Sequence, residues 1–74
     1  MIRFNLDELL KKNKISRTKF AHLAKVRPNT INDMCNGNTR RIEVDTLNNI
    51  MRTINELDKG TVDLADLISY VKDE

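Results

Sequence analysis

The stretch FAHLAKVRPNTINDM, Phe20 to Met34, spaces its apolar residues as a helix would and then sets Arg27-Pro28 in the middle. Proline has no N–H to donate, and its ring collides with the carbonyl four residues back. It therefore fits the first turn of a helix and not the interior. Two short helices thus fit better than one. Phe20, Ala21 and Ala24 then fall on the inner face of the first, Ile31 and Met34 on the inner face of the second, and Lys25 to Arg27 make the turn.

The flanking sequence extends this pattern. FNLDELLKKNK has Asn5 at an N-cap, Glu8 at the spacing of a capping box and Phe4 placed to staple onto Leu9. It predicts a helix over about Leu6 to Lys12, with Leu6, Leu9 and Leu10 as the apolar stripe and Lys11 and Lys12 where the helix dipole favours cations. ISRTKFAHLAK repeats the scheme with Ser16 as N-cap and Ile15 opposite Phe20, but Lys19 stands where a capping box would hold Glu. The free N–H groups of that helix start are accompanied by Arg17 and Lys19, an arrangement suited to an external anion such as phosphate.

The helix opened by Pro28 should close at Asn36-Gly37, where glycine supplies a left-handed residue. A fourth is expected from about Val44 to Leu57, with Leu47, Ile50, Ile54 and Leu57 on one face. VDLADLISYV gives a fifth, capped by Asp63 with Asp66 at the third position. Five helices without an internal repeat make the expected class all-α. Ile2-Arg3-Phe4 and Tyr70-Val71-Lys72 are β-prone ends able to pair with each other or across a dimer.

A chain of 74 residues has room for one domain, residues 1–74, and its 39% hydrophobic and 32% charged composition is that of a folded globular chain. Cys35 is the only cysteine, which excludes an internal disulfide and a cysteine-built zinc site and fits a reducing cytoplasm. No basic start followed by an apolar stretch marks a signal peptide, and nothing approaches the roughly 20 apolar residues of a membrane span. The net charge of +2 hides an asymmetry: Lys11 to Arg41 hold nine Lys or Arg and one acid, Asp33, a balance of +8, whereas the rest holds four bases and ten acids, a balance of −6. A basic middle between acidic ends suits a polyanionic partner.

The third helix sharpens that reading. At 100° per residue, Ile31, Met34 and Cys35 share one face and Pro28, Asn29, Asn32, Asp33 and Asn36 the other. Asparagine is a mediocre helix former, so stability does not explain several on one outer face. An Asn amide can read an adenine edge bidentately, and an Asp can accept from cytosine N4. Chemistry of other kinds finds little support: there is no Gly-rich phosphate loop, no Ser/His/Asp arrangement and no second ligand near His22. The chain reads as a non-enzyme that requires neither cofactor nor metal, with Cys35 a small hydrophobe.

Laid out this way, the chain resembles the Cro and phage-repressor type (XRE family) of helix-turn-helix domain over about residues 5 to 68. Arg17 to Asn36 look like its two-helix core: Phe20, the small Ala21 where the helices cross, Ala24, Val26, Ile31 and Met34. RPNTINDMCNGNTRRIEVDTL is similar to the third helix, following loop and start of the fourth helix in a compact bacterial subgroup. Two features depart from the family. Lys25 occupies the turn position usually held by glycine, and must either turn left-handed at about 1 kcal/mol or reshape the turn. NELDKGT also lengthens the segment between the fourth and fifth helices.

The resemblance implies a five-helix, lambda-repressor-like all-α domain with its helix-turn-helix core at 16–36 and the third helix in the major groove of double-stranded DNA. Carried over residue by residue, it implies base contacts from Asn29 and Asp33, then Asn32, Pro28 and Arg27. Phosphate contacts fall to Ser16, Arg17, Thr18 and Lys19 at the second helix, and to Thr30, Asn38, Thr39, Arg40 and Arg41 around the third. The implied function is a cytoplasmic transcriptional repressor binding an operator as a homodimer through the fifth helix and chain ends, with no membrane contact and no small-molecule effector. The competing expectation is a protein-interaction module or a DNA-binding antitoxin component, kept open by the Asp33 carboxylate on the groove face.

Overall fold

A computed structural model describes residues 1–72. In chain order the elements are β1 (Ile2–Phe4), α1 (Leu6–Lys12), α2 (Arg17–Ala24), α3 (Pro28–Asn36), α4 (Val44–Leu57), α5 (Leu64–Leu67) and β2 (Ile68–Tyr70). The expected helix class and the pairing of the chain ends are both present.

The first three helices end in the same way. At each end the backbone turns left-handed, at Lys14 (φ 54°), Lys25 (φ 57°) and Gly37 (φ 77°). The N–H of that residue donates to the carbonyl three back, and the next N–H to the carbonyl five back: Ile15 to Leu10 at 3.1 Å, Val26 to Ala21 at 3.0 Å, Asn38 to Asp33 at 2.8 Å. These are Schellman closures, which satisfy carbonyls that a helix end leaves free. Lys25 thus takes the left-handed option and preserves the turn.

The closures fold α1, α2 and α3 around a shared interior. Leu6, Leu10, Phe20, Ala21, Ala24, Ile31 and Met34 are buried there with Ile50 and Ile54 of α4, Val62 and Leu67. Ala21 is fully buried, and α2 packs against α3. Leu47 and Leu57 of the expected α4 stripe lie only partly buried at its ends, while Thr53 joins the interior and satisfies its hydroxyl by donating to the Asn49 carbonyl at 2.8 Å.

Two expectations are corrected. Asn5 precedes α1 but makes no capping hydrogen bond. Its amide is turned toward the other chain end, with Nδ2 3.4 Å from the Asp66 carbonyl and 3.5 Å from Ser69 Oγ. The fifth helix is also shorter than VDLADLISYV suggests. In a longer helix Val71 N–H would donate to Leu67 O; instead Leu67 O accepts from Asn5 N–H and Val71 N–H donates to Met1 O, both at 2.7 Å. Ile68 onward therefore leaves the helix and pairs antiparallel with β1, Ile2 opposite Tyr70, Arg3 opposite Ser69 and Phe4 opposite Ile68. The helix start is as expected, with the Asp66 carboxylate accepting from Asp63 N–H at 2.9 Å.

The lengthened segment after α4 is pinned at both sides. Asn55 exchanges two hydrogen bonds with Val62, accepting from its N–H at 2.8 Å and donating to its carbonyl at 2.9 Å. The buried Asp58 carboxylate accepts from Gly60 N–H at 2.9 Å and Asn13 Nδ2 at 3.1 Å and pairs with Lys12 at 3.3 Å. The extra residues thereby tie the end of α4 to the end of α1.

Candidate nucleic-acid interface

α2 and α3 present the polar surface. Ser16 caps α2 by accepting from Lys19 N–H at 3.1 Å, and Thr18 and Lys19 stand exposed on its first turn. Pro28 opens α3 with Arg27 as a flanking residue in extended conformation, so the turn delivers Arg27, Pro28 and Asn29 to solvent at the α3 start. Asn29 and Asp33 are exposed one turn apart, and Ile31 and Met34 on the opposite side are fully buried. The face expected to meet a partner and the face expected to meet the core are thus separated.

The remaining site candidates divide into two groups. Asn38, Arg40 and Arg41 are exposed on the loop after α3, and Thr30 is half-buried beside it. Thr39 is half-buried, and its hydroxyl is buried with no hydrogen-bond partner among the described residues. Cys35 is half-buried on the inner flank of α3, where burial pushes its thiol above the usual range and keeps it protonated.

Arg17 does not stand free. Its Nη2 is 3.2 Å from Asp7 Oδ1 of α1, and its Nη1 reaches Asn36 Oδ1 at 3.2 Å and Asn32 Oδ1 at 3.4 Å on α3. Asp7 also holds Lys11 at 3.1 Å, and these two cations, Lys11 first, hold its carboxyl below the usual range. Asn32 is half-buried as a result, while Asn36 stays exposed. Asp7 and this bridge were not found by sequence reasoning. The only signals were the four-residue spacings Asp7/Lys11 and Asn32/Asn36, which say nothing about a third helix crossing between them.

Of the nine bases in the basic middle, the carboxylates of Asp7 and Asp58 take up three, Lys11, Lys12 and Arg17. Lys14, Lys19, Lys25, Arg27, Arg40 and Arg41 remain exposed and paired with no carboxylate among the described residues. No helix among those residues is long and apolar enough to cross a membrane.

A sequence profile of the Cro/C1-type helix-turn-helix DNA-binding domain matches residues 5–73. The chain belongs to that family. DNA is the partner class of a Cro/C1-type domain. Neither the curated proteins nor the solved structures yield a match to the chain.

Proposed function

We propose that this Cro/C1-type domain is a sequence-specific transcriptional repressor whose α3 reads an operator in the major groove of double-stranded DNA. The observation that carries the reading is an exposed amide and carboxylate face on α3 with Arg27 at its start and Arg40 and Arg41 in the loop after it, all three exposed and paired with no carboxylate among the described residues. Affinity comes mainly from phosphate neutralisation by Lys19, Arg40 and Arg41, assisted by Ser16, Thr18, Thr30, Asn38 and the Thr39 backbone. Specificity comes from Asn29, Asp33 and Arg27, with Asn32 beside them and apolar contact from Pro28 to a thymine methyl. Asp33 fits a cytosine, whose N4 amino group offsets the repulsion a carboxylate feels near phosphates.

Two copies of the single domain would bind a pseudo-palindrome, meeting through α5 and the paired chain ends. Ile2 and Tyr70 support this surface: they are cross-strand partners and are 59% and 71% exposed. The protein works in the cytoplasm of a bacterium, without a small-molecule effector.

The test is a fluorescence-anisotropy titration with DNA from upstream of the chain's own gene and with a scrambled duplex, each at low and near-physiological salt. The upstream duplex is expected to bind about a thousandfold tighter or better at the higher salt. Equal binding that vanishes for both as salt rises would reduce the basic middle to a charge patch and favour a protein partner.

A further inference from the structure

The bridge through Arg17 constrains how α3 can read DNA. A guanidinium carries donors and no acceptor, so an amide facing it must present its oxygen. Asn36 Oδ1 lies 3.2 Å from Arg17 Nη1 and Asn32 Oδ1 3.4 Å from the same atom. The second distance is long for a hydrogen bond, but the positive charge orients the amide dipole at that range too. Both amides therefore turn their oxygens toward Arg17 on α2, which leaves the NH2 groups as the donors available to a partner. Asp7 closes the other side of the guanidinium at 3.2 Å and is itself held by Lys11, so the fork is braced from α1.

We propose that Arg17 is a positioning residue that fixes the amides of Asn32 and Asn36 as outward donors and so sets base preference, instead of anchoring a phosphate. This rests on the reading of α3 as the operator-reading helix. Bidentate adenine recognition needs an amide oxygen and an amide nitrogen on the same edge, and Arg17 withdraws the oxygen. Asn32 and Asn36 then select atoms that accept, guanine O6 and N7, thymine O4 or adenine N7, and disfavour cytosine. Asn29 has no such partner among the described residues and keeps both amide functions for adenine. One helix face thus carries two modes of asparagine reading, divided by its distance from Arg17. Asp7 contributes by repelling any phosphate that approaches the fork.

The test starts from selection of bound sequences by the full chain from a randomised duplex pool. Anisotropy on the enriched duplex and its single-base-pair variants across a salt series then compares the parent with Arg17→Gln and Arg17→Lys. Thermal melts confirm that each variant folds. Both variants are expected to lose about fivefold or more in discrimination at the base pairs beneath the C-terminal half of α3. Pairs read by Asn29 and the salt slope stay as in the parent. Lysine keeps the charge but lacks the rigid planar group that holds Asp7 on one nitrogen and both amides on the other, so a phosphate anchor would survive that change and this device would not. An Arg17→Gln slope reduced by about 0.9, or intact discrimination in both variants, overturns the proposal alone. If Arg17→Gln fails to fold, Arg17→Lys decides by its discrimination. A parent that enriches no sequence overturns the operator-reading proposal itself, and this one with it.

Discussion

Lys25 is the residue at which backbone strain can be separated from everything else. It closes α2 at φ 57°, ψ 41°, and its side chain is exposed, so replacing it removes no packing. A side chain in the left-handed region costs about 1–2 kcal/mol, and glycine's freedom in the unfolded chain returns about 0.5–1 kcal/mol of that benefit. The net expectation for Lys25→Gly over Lys25→Ala, which matches it in charge, is about 0.5–1 kcal/mol. For a domain of this size that is a rise in Tm of about 2–8 °C. The alanine control matters because a lysine at a helix C-terminus also contributes about 0.3–1 kcal/mol through the helix dipole. Salt screens that contribution and leaves the backbone one, so the gain of Lys25→Gly over the parent should grow with salt. Calorimetric melts of the parent, both variants and Gly37→Ala complete the comparison. Gly37 has φ 77°, and an added Cβ there would meet nothing within 4 Å, so its substitution should reverse the sign through strain alone. A Lys25→Gly variant no more stable than Lys25→Ala would refute the argument.

Ala21→Leu should destabilise the fold by about 1–3 kcal/mol by prying α2 from α3, read from urea unfolding; an unchanged midpoint would show that the crossing lies elsewhere. Arg40→Ala should weaken all duplexes alike and lower the salt slope by about 0.9, while Asn29→Ala should relax base preference and leave the slope alone; anisotropy on matched and mismatched duplexes reads both, and an exchange of the two effects would reassign the contacts. Gly60 N–H, the Asn13 amide and Lys12 hold the Asp58 carboxyl below its ordinary range. A folded-state pKa below the unfolded one gives stability that is full above the unfolded value of about 3.9 and is lost as pH falls through the folded one. The Tm difference between the parent and Asp58→Asn should therefore be present at neutral pH and shrink below about pH 4; a difference constant into strong acid would place the stabilisation elsewhere.

Local chemistry made much of this fold readable. Pro28 can only open a helix, Ser16 caps one and Gly37 closes one, so α2, α3 and the turn between them were determined by residues adjacent in sequence. The inner faces followed from the 3.6-residue period, and Ile31, Met34, Ile50 and Ile54 are buried accordingly. The polar face of α3 was legible for the same reason: a helix with one apolar stripe must show its other side to something.

What the sequence could not decide were matters of distance between residues far apart in the chain. Asn5 had a suitable spacing to Glu8, but the neighbouring chain end took its amide, and Met1 and Asn5 on either side of β1 took the hydrogen bonds that would have prolonged α5. The charge count marked Lys12 and Arg17 as available to an anion, yet Asp58 and Asp7 reach them only in the folded chain. Spacing along one helix fixes which side chains share a face. Only the packing of α1 and α2 against α3 decides which of them a neighbour has already claimed, because a hydrogen bond depends on separation in space and a sequence records separation along the chain.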